Sequence, residues 1–113
     1  MIQIYHNQRC GKSRNCLAFI EKSGKEYQVI KYLEDNLLTE ELTLLLQKLN
    51  LKPIELIRQT EKIWMEKFNG KELTDDEIIQ AMVENPILIE RPIVIKGDKA
   101  IIGRDLEKII PFI

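Results

Sequence analysis

The sequence is short of the residues that build metal centres. It has two cysteines and one histidine, too few for a four-ligand structural zinc site made from Cys and His alone, so no metal is expected. It also lacks an excess of charge of either sign: 17 basic and 18 acidic residues leave a net charge of -1. No global field gathers nucleic acid or anionic lipid, and any anion site must be built locally. Long apolar runs are missing too. The longest, Pro86 to Ile89 with Pro92 to Ile95 beyond a charged pair, falls far short of a bilayer, and the first residues carry no long apolar stretch of the signal-peptide kind. No membrane association and a cytoplasmic location are the resulting expectations. In a reducing compartment two thiols are free rather than bridged, which leaves each as a packing residue or a chemical one.

What is present suits one domain, since 113 residues can bury a single core without disulfide or metal staples. Ile2 to Tyr5 is short and alternates as a strand does, His6 to Lys12 breaks it, and Cys16, Leu17 and Ile20 then share one side of a helix closed by Ser23-Gly24. Tyr27 to Tyr32 reads as a second strand, giving a β-α-β unit that favours parallel pairing. Thr39 is the expected N-cap of a helix carrying Leu42, Leu45, Leu46 and Leu49, stopped by Pro53. A short helical piece is expected at Ile54 to Arg58, while Thr60 to Gly70 is mixed in character. Thr74 and Glu77 form a capping box ahead of Ile78, Ile79, Met82 and Val83. Two short β-prone runs, Ile93 to Lys96 and Ala100 to Ile102, join through Gly97-Asp98 as a hairpin. Asp105 to Ile110 reads as a last helix ending before Pro111. The order is β-α-β, helices, β-β-α, with residues about 37–85 as a helical insertion in a single domain 1–113.

Cys10 falls in the loop between the first strand and the first helix, where unpaired N–H groups and the helix dipole favour an anion. Arg9, Lys12 and Arg14 add positive charge there, and His6 can donate a hydrogen bond or carry a proton. Such surroundings both activate a thiol and attract an oxyanion; a packing cysteine would instead sit among apolar neighbours. Cys16 shares the side of Leu17 and Ile20, which suits packing. If both cysteines were helical, a rise of about 1.5 Å per residue would part them by roughly 9 Å, beyond the ~7 Å reach of a disulfide.

Two segments, Ile4-Tyr5-His6-Asn7 with Cys10-Gly11-Lys12-Ser13-Arg14-Asn15, and Asn85-Pro86-Ile87-Leu88-Ile89-Glu90-Arg91-Pro92-Ile93-Val94, make the chain resemble the glutaredoxin-linked arsenate reductases over nearly its whole length. The resemblance implies a thioredoxin-like α/β fold, β-α-β plus β-β-α with a helical insertion between the halves. It implies Cys10 as nucleophile, with Arg58, Arg91 and Arg104 around the oxyanion and His6, Gly11, Lys12, Ser13 and Arg14 lining its site. Guanidinium suits that task, being always charged and able to bind an oxyanion through two hydrogen bonds. Pro92 matches a proline that is typically cis beside the active cysteine. The sequence departs from the family at Gln8, where proline is common, at Cys16, and in ending at Ile113 without the tail of longer members.

The implied activity is reduction of arsenate to arsenite. Cys10 attacks arsenate, glutathione serves as co-substrate and glutaredoxin as partner, and a monomer with no bound cofactor is expected. A different class of reading is an Spx-type regulator, which shares the fold, binds RNA polymerase and carries Cys-x-x-Cys; here the residue three places after Cys10 is Ser13. A third is a thiol protein of the wider family with little arsenate activity.

Overall fold

The computed structural model describes residues 1–35 and 37–113. Its elements run β1 (Ile2–Tyr5), α1 (Gly11–Lys22), β2 (Tyr27–Ile30), α2 (Thr39–Leu49), a 3-10 turn (Pro53–Leu56), α3 (Lys62–Lys67), α4 (Asp75–Glu84), a second 3-10 turn (Pro86–Leu88), β3 (Ile93–Lys96), β4 (Lys99–Ile102) and α5 (Leu106–Phe112). The chain divides into two compact units, Met1–Asp35 with Arg91–Ile113, and Asn36–Glu90, of which residue 36 lies outside the described ones.

The first unit is a four-stranded sheet in the order β2-β1-β3-β4. β1 pairs with β2 in parallel, as a strand-helix-strand crossover requires, and with β3 antiparallel, while β3 and β4 form a hairpin turned by Gly97-Asp98. Gly97 has φ +64°, a conformation that suits glycine at such a turn. This is the thioredoxin-like α/β arrangement expected from the resemblance. Ile2 and Ile4 of β1 and Val94 of β3 meet Cys16 and Ile20 of α1 and Ile109 and Ile113 from the end of the chain in one buried cluster. Each large aliphatic side chain so buried is worth about 1.5–3 kcal/mol relative to exposure. Lys25 and Lys96 both donate through Nζ to the Ile113 oxygen, tying the end of the chain to the sheet unit.

The second unit is helical. Its core includes Leu42, Leu45 and Leu46 of α2 and Ile78, Ile79 and Met82 of α4, the positions that recur at helical spacing. Thr74 and Glu77 make the expected reciprocal cap, each side chain bonding the other's N–H at 3.0–3.2 Å. Several boundaries differ from the sequence expectation: β2 stops at Ile30 rather than Tyr32, the piece expected at Ile54 to Arg58 is the 3-10 turn Pro53–Leu56, and β4 begins at Lys99. Thr39 is the first helical residue of α2 rather than its cap: Leu38 holds that position, its N–H answered by the Glu41 carboxylate at 3.2 Å. Pro111 lies inside α5 rather than beyond it. A proline so near the end of a short helix withdraws a donor only from the carbonyl of Glu107, an exposed residue that water can reach.

Among the described residues no helix is long and apolar enough to cross a membrane, and no group of three or more His, Cys, Asp or Glu could hold a metal ion.

Candidate active site

β1 delivers the chain to the loop His6–Cys10, and α1 begins immediately after it, so Cys10 occupies the N-cap of that helix with extended backbone (φ -95°, ψ 121°). The thiol is partly buried and free. Burial, the largest single influence, pushes it up. Against that, the N–H of Ser13, the Arg91 guanidinium and the N–H of Lys12 all donate to the sulfur, with the charge of Arg91 adding to them, and the thiol ends below its ordinary value.

Lys12 therefore acts through its backbone, where the sequence suggested its ammonium. Arg14 is likewise turned elsewhere: its Nη1 donates to the Gln8 carbonyl at 3.0 Å. Gly11 leaves its flank open, since a Cβ there would meet nothing nearer than Arg14 Nη2 at 3.7 Å.

Behind the loop lies a buried polar network. Ser13 is fully buried; its Oγ accepts the Asn7 N–H at 3.0 Å and shares a 2.6 Å hydrogen bond with His6 Nδ1. His6 is itself buried and is held below its ordinary pKa, first by desolvation and then by Lys31 and Arg14, with Glu21 opposing. The imidazole is thus neutral around pH 7 and ties helix to strand. Asn7 was not singled out in the sequence, yet it is buried and central. Its side-chain oxygen accepts the Arg9 N–H at 2.9 Å and its carbonyl accepts the Cys10 N–H at 3.1 Å. An asparagine in a short loop between a strand and a helix start is an Asx-turn signal that could have found it.

The Arg91-Pro92 peptide is cis, the isomer the resemblance implied. Arg91 is buried and reaches Cys10. Arg104 is exposed and follows Gly103, whose N–H donates to the Pro92 carbonyl at 2.7 Å. The Gly103 backbone is closely packed: a Cβ there would lie 3.1 Å from Cys16 Sγ and from Val94, and 3.2 Å from Ile109. Arg58 belongs to the second unit, where its Nε pairs with Glu61 at 3.3 Å and its N–H donates to the Leu88 carbonyl at 2.7 Å. Cys16 is wholly buried, and burial pushes its thiol up to about 12. Of the sequence candidates, Cys10, Gly11, Lys12, Ser13, His6 and Arg91 are brought together directly.

The chain matches the ArsC family over residues 5–112. It is 40% identical over 114 residues to YfgD of Escherichia coli K12, described as uncharacterized, covering 99% of this chain and 96% of that one. It is 36% identical over 110 residues to an arsenate reductase of Neisseria meningitidis, covering 96% and 94%. The structure of an arsenate reductase from Vibrio cholerae superposes with a TM-score of 0.93 at 42% identity, over 99% of this chain and 97% of that one.

Proposed function

This chain belongs to the ArsC family, and from that premise we propose that it reduces arsenate to arsenite through Cys10, with glutathione as co-substrate and glutaredoxin as the protein that regenerates the thiol. The observation that carries the reading is the environment of the Cys10 sulfur, held by two backbone N–H groups and the Arg91 guanidinium. Those groups favour the thiolate, which is the nucleophile, and a guanidinium beside it suits a tetrahedral oxyanion.

Cys10 thiolate attacks arsenic, forming a sulfur–arsenic bond, while one arsenate oxygen departs and is protonated to water. A glutathione thiolate then attacks Cys10 sulfur. The sulfur–sulfur bond forms and the sulfur–arsenic pair stays on arsenic, which falls from +5 to +3 and leaves as arsenite. The two electrons come from two thiols, which end as one mixed disulfide. A glutaredoxin thiolate attacks the glutathione sulfur of that disulfide and frees Cys10. Arg91 steadies charge at the thiolate and at the arsenic oxygens, and the family resemblance gives Arg58 and Arg104 the role of oxyanion ligands. This chemistry belongs in a reducing cytosol and needs one copy of the chain.

An Spx-type switch needs a second thiol three residues on. Position 13 is a buried serine bonded to His6 and Asn7. The test supplies the purified protein with arsenate, glutathione, glutaredoxin and NADPH-coupled glutathione reductase, and measures arsenite directly. Arsenite formation dependent on Cys10 supports the reading; none above the thiol background overturns it.

A further inference from the structure

The loop ahead of α1 is tied down largely by the helix's own first turn. Asn7 N–H is bonded to Ser13 Oγ, Cys10 carbonyl accepts the Arg14 N–H at 3.0 Å, and Gln8 carbonyl accepts Arg14 Nη1 at 3.0 Å. Arg14 is thus bonded to the loop twice, by its backbone at Cys10 and by its side chain at Gln8. We propose that Arg14 is a positioning residue that clamps the Gln8 carbonyl to the first turn of α1, holding Cys10 sulfur against the Lys12 and Ser13 N–H groups, and that it is not a ligand of the oxyanion. The inference rests on the proposed function only where it speaks of the oxyanion.

Three observations carry it. The guanidinium lies along the flank of Gly11, with Nη2 3.7 Å from where a Cβ would stand, so the side chain folds back over the loop. The groups that act on Cys10 sulfur are Ser13, Arg91 and Lys12, and Arg14 is not among them although it is only four residues away. Its charge is felt instead at His6, on the inner side of the same loop. A planar fork suits this work, because a fixed donor geometry fixes the carbonyl it holds.

The thiol is read by the pH profile of Cys10 alkylation with iodoacetamide, assigned by peptide mapping without arsenate, and turnover by kcat and KM for arsenate. Arg14→Ala is expected to move the alkylation midpoint up by about half a pH unit or more and to lower kcat about threefold or more, with KM for arsenate within about twofold. Arg14→Gln keeps an N–H donor without the charge and is expected to recover at least half of the shift. An unmoved alkylation profile with KM raised about tenfold makes Arg14 an oxyanion ligand and overturns the proposal. So does recovery by Arg14→Lys and not by Arg14→Gln, which assigns the effect to charge alone. A wild-type protein that forms no arsenite leaves the alkylation test standing and overturns only the proposed function.

Discussion

At its first turn helix α1 presents a partly exposed thiol to backbone N–H groups and a guanidinium; further along, the same helix sinks a second thiol among Ile2, Ile4, Val94 and Ile109. The two are pushed in opposite directions, Cys10 down and Cys16 up to about 12. Both meet desolvation. What separates them is that Cys10 has donors aimed at its sulfur, whereas nothing at Cys16 offsets burial. One helix therefore carries a thiol whose ionisation is favoured and one whose ionisation is opposed, and the difference follows from the donors rather than from the residue type.

The largest effect expected from breaking this contrast is on turnover. Cys10→Ser is expected to abolish arsenite formation, while Cys16→Ala keeps most of it; equal loss in two folded variants, checked by circular dichroism, would sink the single-thiol scheme. Next comes labelling. In the folded protein near neutral pH, iodoacetamide is expected to modify Cys10 more than about a hundredfold faster than Cys16, and mass mapping that finds Cys16 modified first would reverse the comparison.

A smaller effect is expected in alkaline stability. The Cys16 thiol is raised in the fold, so its contribution is fully present below the unfolded thiol's value, near 9.0, and is lost as pH rises toward about 12. The denaturant midpoint of the wild type should fall more steeply over that window than that of Cys16→Ala; parallel curves would show that Cys16 ionises freely. The smallest change is placed away from both thiols. Thr74→Ala removes the cap of α4 and is expected to cost about 1 kcal/mol of stability, while the Cys10 alkylation profile stays where it is. Urea melts and the alkylation series measure the two separately.

Much of this was legible in the residues. The strand-loop-helix around Cys10, the Thr74-Glu77 cap and the Gly97-Asp98 turn are local features, each decided by a few neighbours in sequence. The cationic loop also pointed correctly to an anion-favouring thiol, but for an incomplete reason. Lys12 and Arg14 looked like the source, and the structure puts the Lys12 and Ser13 N–H groups and Arg91 at the sulfur instead. Where a long side chain points is a tertiary property that adjacency in sequence does not report. Asn7 answers the N–H groups of Arg9 and Cys10, work for which hydrophobic patterning leaves no trace. Helix α3 was obscure for a related reason: six residues are too few to display a period, and Trp64 is its one fully sequestered side chain, stacked on Phe68 at 5.5 Å. The antiparallel pairing of β1 with β3 joins residues remote in sequence and was not specified by either strand alone.

Gly103 has a consequence for how such a sequence can drift. Its backbone fits closely against Cys16 sulfur: a methyl group there would stand 3.1 Å from the sulfur and from Val94 and 3.2 Å from Ile109, so positions 16, 94, 103 and 109 share a single allowance of volume. An alanine at 103 asks these neighbours to give by a few tenths of an ångström, a demand that a smaller side chain at 16 would relieve. The turn that bears Arg104 is thus packed against a residue of the first helix, and a substitution at position 16 bulkier than cysteine is expected to press on the backbone next to that arginine.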